Sequence, residues 1–339
     1  MRRNVETLPS PVRPSPYGHP IAIDPSTRSI SNMFLPYRAD LEFTRIPVIT
    51  WLVCLTCIVV FFEQRQSDRD VTHAAEEFCS QDHPRRFRLT MAKLAGEQAD
   101  TACPKILSAI HASGRPREVI NRFAEHAVPW DLMSAAESRA YTVEQLEQAY
   151  GDFKSTVKPS LTERLAYDPT SYNVWHMVTA AFAHASWSHI IGNLIFFCAF
   201  AGTVEIVIGS FAFAAMIFAL AVGTHFCYSL SQVMTTSPTP TIGLSGVVMG
   251  IIGLFAYLAP TTRIRCLLWL LVFWRVLRVP AWILAVWYVG WDIYSLMHYN
   301  GSSHVNFVAH VSGAALGYLS GLVLFRKRKE WVNEHLEMA

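Results

Sequence analysis

A handful of side chains in this 339-residue chain have the types and spacing for covalent chemistry. Ser245 stands between glycines in Gly243-Leu244-Ser245-Gly246, just before an apolar run of helical length. A serine at such a junction has space around its hydroxyl and lies beside first-turn N–H groups that have no partner within the helix. Those conditions suit a nucleophile with an oxyanion site. Gly246, Gly250 and Gly253 also form a small-residue stripe, which suits plain helix packing equally well. His310 precedes Gly313, Gly317 and Gly321, and at about 100° per residue these positions share one helical face. If the two glycine stripes meet, Ser245 and His310 lie at the same end of the contact. An imidazole exchanges protons near neutral pH and can then act as general base for the serine. The competing role for His310 is a structural histidine bonded to a carbonyl. His189 and Asn193 are four apart and share a face, so both can donate to one developing oxyanion. His184 is expected to do a different job, holding the loop in place. No HExxH pattern and no third ligand at useful spacing accompanies these histidines, so no metal is expected. Glu205 and Asp292 are the acids inside apolar runs, and neither has a spacing that marks it as a third catalytic member. Both read as structural, Glu205 as a local cap or partner and Asp292 as a residue near the outer surface.

The elements that must hold these residues are membrane helices. Hydrophobic residues make up 52% of the chain and charged residues 16%, below the roughly 25% usual for soluble domains. A net charge of +2 gives no basic stripe for nucleic acid. A bilayer core takes about 20 apolar residues per helix, and six runs qualify: 46–62, about 178–208, 211–230, 242–259, about 281–297 and 305–325. The apolar stretch 264–277 contains Arg265 and Arg275 and reads as an interfacial segment. Lys and Arg number six before residue 46, four in 263–278 and four in 326–329. With six spans these fall on one side, the cytoplasmic side by the positive-inside rule.

Three further regions follow. Residues 1–45, rich in proline, read as a disordered cytoplasmic tail, and 326–339 as a basic cytoplasmic tail. Residues 63–172 read as a helical extracytoplasmic insertion between the first and second spans. Within it Thr142-x-x-Gln145 has the pattern of a capping box, with Leu146, Tyr150, Phe153 and Val157 on one face after it. Cys79 and Cys103 are the insertion's cysteines, and an oxidising exterior allows them to pair, although spacing alone does not establish the bond. The fold class is thus an all-α polytopic bundle of six transmembrane helices, with 173–325 as its core.

Taken together, these residues resemble the rhomboid family of intramembrane serine proteases. The resemblance rests on His184…His189…Asn193, Gly-Leu-Ser-Gly at 243–246 and Ala309-His310-x-x-Gly313-x-x-x-Gly317, in the family's order. It implies a Ser245–His310 dyad with no acidic third member. It adds the backbone N–H of Ser245 to His189 and Asn193 as oxyanion donors, and it implies no cofactor. Single-pass transmembrane proteins would be cut near the outer face of the lipid bilayer. Two positions depart from the family pattern: Met249 stands where a tyrosine is common, and Trp175-His176 stands for Trp-Arg. The insertion, longer than the catalytic fold requires, is expected to screen substrates or protein partners. The rival class is a rhomboid-like protein that escorts membrane proteins without cutting them. The location expected is a bacterial inner membrane with both termini cytoplasmic.

Overall fold

The computed structural model describes residues 32–39, 46–95, 99–113, 115–235, 238–270, 273–298 and 305–337. The rest of the proline-rich tail, 1–31 and 40–45, lies outside the described residues. Two units follow one another along the chain, each with its own apolar core.

The first unit grows out of the first apolar run. Helix α1 (Val48–Ser80) is 33 residues long and does not stop at the end of the hydrophobic stretch. The boundary expected at residue 62 is therefore absent, because nothing in Glu63-Gln64-Arg65-Gln66 breaks a helix. Its N-terminus is capped from a distance. The buried carboxylate of Glu205 accepts the amide N–H groups of Ile49 (2.9 Å) and Thr50 (2.8 Å), and the hydroxyls of Thr50 and Ser210. Two of the first-turn amides of α1 are satisfied this way, and the negative charge faces the positive end of the helix.

The polar half of α1 packs with α2 (Arg85–Ala95), α3 (Ala99–Ala112), α4 (Pro116–His126) and α5 (Ala135–Thr156) around a core that includes Phe78, Leu107, Ile110, Leu146 and Phe153. A disulfide joins Cys79 to Cys103 and so ties the end of α1 to α3. Short α6 (Leu161–Leu165) returns the chain toward α1, where Gln64 Nε2 donates to Thr162 Oγ1 at 2.8 Å. The capping box of α5 is not the one expected. Ser134 and Glu137 form it, while Thr142 is buried mid-helix with its hydroxyl donating to the Ser138 carbonyl. The face Leu146, Tyr150 and Phe153 is buried as expected, and Val157 is the C-cap.

His111 in this unit makes a pH prediction. It is buried, neither ring nitrogen has a hydrogen-bond partner, and the Glu163 carboxylate lies 3.3 Å from Nε2. Burial holds its imidazole below the usual histidine range, against the pull of Glu163. Below about pH 6.5 the unfolded chain therefore takes up a proton that the folded unit declines. His111's contribution is full above that pH and falls as pH drops toward the folded value. The loss of Tm between pH 7.5 and pH 5.5 should be smaller in His111→Gln than in wild type. Equal losses would remove His111 from the explanation.

The second unit is the membrane bundle. Helix α7 (Val174–Thr179) and a 3-10 turn at Ala180–Phe182 lead into α8 (Trp187–Ile208), followed by α9 (Ser210–Gln232), α10 (Ser245–Leu258), α11 (Ala281–His298) and α12 (Phe307–Leu324). Among the described residues four helices, α1, α8, α9 and α12, are long and apolar enough to cross a membrane, and α10 is a shorter apolar helix. Their outward faces carry Trp51, Leu55, Phe62, Phe218, Leu319 and Val323, all exposed, as suits a lipid surround rather than water. The protein is an integral membrane protein by these helices. Helix α10 lies at the centre, with nearly every residue buried.

The fold is mostly helical but not all-α. Strand β1 (Asn32–Ala39) pairs antiparallel with β2 (Arg263–Leu270), which pairs antiparallel with β3 (Phe273–Pro280). This corrects the expectation of a disordered tail at 32–39, which belongs to a sheet, and it gives the stretch read as interfacial two strands, 263–270 and 273–280. The cause is period-two alternation, with Ile264 and Cys266 buried and Arg263 exposed. The basic segment at the C-terminus is also ordered, as α13 (Arg326–Glu337). There Val332 is buried in the bundle core and Lys329 lies over the Tyr257 ring, 4.4 Å from its centroid.

Candidate active site

The bundle brings the two glycine stripes together. A β-carbon added at Gly313 would overlap the carbonyl of Gly246, one at Gly317 that of Gly250, and one at Gly253 that of Ala314. Helices α10 and α12 thus touch backbone to backbone, which only glycine permits. The order of contacts, 246 with 313 and 250 with 317, makes the two helices parallel. Ser245 and His310 therefore stand at matching ends, each just before the first point of contact. Among the described residues no hydrogen bond joins them, and Ser245 Oγ has no other partner.

The turn that presents Ser245 is fixed on several sides. Thr241 exchanges two backbone hydrogen bonds with Tyr167 at 3.0 Å, and the N–H of Gly243 donates to the Ala180 carbonyl at 2.8 Å. Asn306 accepts the Ala309 amide as N-cap of α12 and donates to Thr241 Oγ1, which links the start of the His310 helix to the same turn. Gly243 has φ of +126°, and a β-carbon there would lie 2.7 Å from His189 Cε1 and 2.8 Å from Nε2. Glycine is thus required twice, by the backbone and by the imidazole against it. Gly246 is held close to Thr224 of α9, and Met249 is buried one turn beyond Ser245.

Polar donors line the other side of this turn. Ser186 caps α8 by accepting the His189 amide, so His189 and Asn193 occupy its first two turns. The Ala185 amide donates to His189 Nδ1 at 3.4 Å, which leaves Nε2 as the N–H donor of that ring. Asn193 Nδ2 is buried without a hydrogen-bond partner and lies 3.9 Å from the β-position of Gly243. A buried amide left unpaired is costly, so such a group calls for a function. His184 precedes the helix instead of starting it. Its amide donates to Gln64 Oε1, its Nδ1 meets the Phe182 carbonyl, and its ring packs edge-on to His189 at 5.1 Å.

Asp292 is the residue that sequence spacing missed. Its carboxylate Oδ2 lies 3.0 Å from His310 Nδ1, with both side chains largely buried. Reading it as a near-surface structural acid did not foresee this contact. The one available signal was a carboxylate inside an otherwise apolar helix, a costly placement. Trp175 and His176 sit apart from the serine, lining a cleft of about 410 Å³ with Arg164 and Thr179. Among the described residues no group of three or more His, Cys, Asp or Glu is placed to hold a metal ion.

Residues 171–327 match the family model described as the Rhomboid domain. Over 158 residues the chain is 28% identical to a protein of Arabidopsis thaliana named RHOMBOID-like protein 12, mitochondrial. That match covers 42% of this chain and 44% of the relative, so the chain spans under half the length of the protein it resembles. The expected bacterial inner membrane draws no support from a relative named as mitochondrial. Residues 63–170 of the insertion lie outside the matched domain. The glycine-packed bundle at 171–327 is a rhomboid domain.

Proposed function

We propose that this protein is an intramembrane serine endopeptidase that cuts membrane-anchored proteins through Ser245 and His310. The observation that carries the proposal is the unpartnered Asn193 amide at the turn that presents Ser245. In the reaction, Ser245 Oγ attacks the scissile carbonyl carbon and His310 Nε2 takes the hydroxyl proton. Asn193 Nδ2–H, His189 Nε2–H and the Ser245 amide donate to the resulting oxyanion. His310 then returns the proton to the leaving nitrogen, and water releases the acyl group by the same steps. The gap between Ser245 and His310 is what unliganded sites often show, since catalytic hydrogen bonds tighten when substrate arrives.

The proposed topology has six crossings, the four long apolar helices together with α10 and α11. At about 1.5 Å per residue, the 14 residues of α10 span about 21 Å, short of a core of about 30 Å. Ser245 would then lie below the bilayer rim, within reach of a transmembrane substrate. The Arg115–Thr239 hydrogen bond and the Tyr167–Thr241 bridge support a helical insertion on the Ser245 side. The Cys79–Cys103 bond suits an oxidising compartment there. In this topology Arg263, Arg275 and the 326–329 run would fall on the opposite, inward side by the positive-inside rule. A helical insertion on the Ser245 side would select substrates or partners.

Fluorophosphonate labelling of the purified protein tests the chemistry. Wild type should label, and Ser245→Ala and His310→Ala should not. A folded wild type that stays unlabelled would favour the non-cleaving escort reading instead.

A further inference from the structure

The two acids buried in the bundle are used in different ways. Glu205 is saturated, holding four donors at the start of α1 and the neighbouring Ser210. Asp292 has one hydrogen-bond partner among the described residues, and that partner is His310. A carboxylate kept in an apolar helix for a single contact is expensive, and this one falls on the imidazole opposite the serine. Phe307 lies edge-on to that imidazole at 6.2 Å, and position 249 holds a flexible methionine rather than a ring that could clamp it.

We infer that Asp292 is the positioning residue of the site, so that this chain works as a Ser245–His310–Asp292 triad. The inference rests on the serine-protease reading above. Oδ2 accepts the Nδ1–H of His310, which fixes the tautomer with its lone pair on Nε2, the atom that the proposed mechanism assigns to the serine proton. When Ser245 Oγ bonds to the substrate carbon, its proton moves to Nε2 and the ring becomes an imidazolium. Asp292 stays ionised through this step and stabilises the new charge across the same hydrogen bond. The proton then leaves from Nε2 to the departing nitrogen, and Asp292 neither gains nor loses one. The carboxylate also links α11 to α12, so a purely structural role has to be told apart.

The test compares wild type, Asp292→Asn, Asp292→Glu and Ser245→Ala on a transmembrane reporter peptide, with fluorophosphonate labelling alongside. Asp292→Asn should lower kcat by about a thousand- to ten-thousand-fold, as losing the acid does in soluble triads, with KM little changed. Asp292→Glu should recover part of that loss. An Asp292→Asn variant with wild-type kcat and labelling rate overturns the inference while leaving the Ser245 reading intact. Absence of labelling and cleavage in wild type overturns the Ser245 reading itself. Should the Asp292 variants not fold, nitrogen NMR of the wild-type imidazole decides. His310, identified by its loss in His310→Ala, should show a protonated Nδ1 and a bare Nε2, and the opposite tautomer overturns the inference.

Discussion

Ser245→Ala should abolish cleavage of a single-pass reporter in liposomes while leaving the fold untouched. Removing the nucleophile of a serine protease lowers turnover by about four to six orders of magnitude, because the remaining groups have no attacking atom to assist. Any rate that survives would come from the oxyanion donors His189 and Asn193 acting on water. The structural side of the prediction is equally definite. Ser245 is half-buried, its hydroxyl makes no hydrogen bond among the described residues, and it starts α10 without capping it. Alanine fits that position and favours the helix slightly. Tm in detergent should therefore stay within about 1 °C of wild type or rise, by the usual relation between free energy and Tm. A variant that still cleaves would move the nucleophile elsewhere, and one that unfolds would give Ser245 a packing role that these contacts do not contain.

What the sequence made legible depended on whether the signal was local. The glycine stripes at 246–253 and 313–321 point to close helix contact because their period alone puts them on one face, and the backbones do meet there. Asp292 could not be read the same way. Its partner lies 18 residues on, on another helix, and no spacing rule reports how two helices are joined across a bundle. The sheet was hidden for a related reason. Alternation in Arg263-Ile264-Arg265-Cys266 was present, but its partner strand β1 comes from more than 220 residues earlier in the chain. Thr142-x-x-Gln145 shows the opposite failure, a local pattern with the wrong meaning. Ser134-x-x-Glu137 caps the helix two turns sooner and turns Thr142 into an interior residue. A four-residue motif cannot by itself tell a helix start from a helix middle.

The second large effect belongs to the helix contact. Gly317→Ala adds one methyl group, and at this position it meets the Gly250 carbonyl, a backbone atom that cannot rotate away. Overpacking usually costs 1–3 kcal/mol when side chains can adjust. Here α10 and α12 must separate, so a loss of at least about 3 kcal/mol is expected, and Gly317→Leu should yield no folded protein. The same substitution at Gly192 in α8 or Gly290 in α11 meets nothing within 4 Å. There it should stabilise by about 0.5–1 kcal/mol, the usual gain of alanine over glycine in a helix. Thermal unfolding of the three alanine variants in one detergent gives the comparison. Gly250 is five residues beyond Ser245, and Gly317 is seven beyond His310, so parting the helices at that level also parts Ser245 from His310. Gly317→Ala should therefore lose activity below its unfolding temperature, through geometry rather than through missing chemistry. Full stability and full activity in that variant would mean that the two backbones do not touch at Gly250, and the placement of His310 beside Ser245 would fall with the contact.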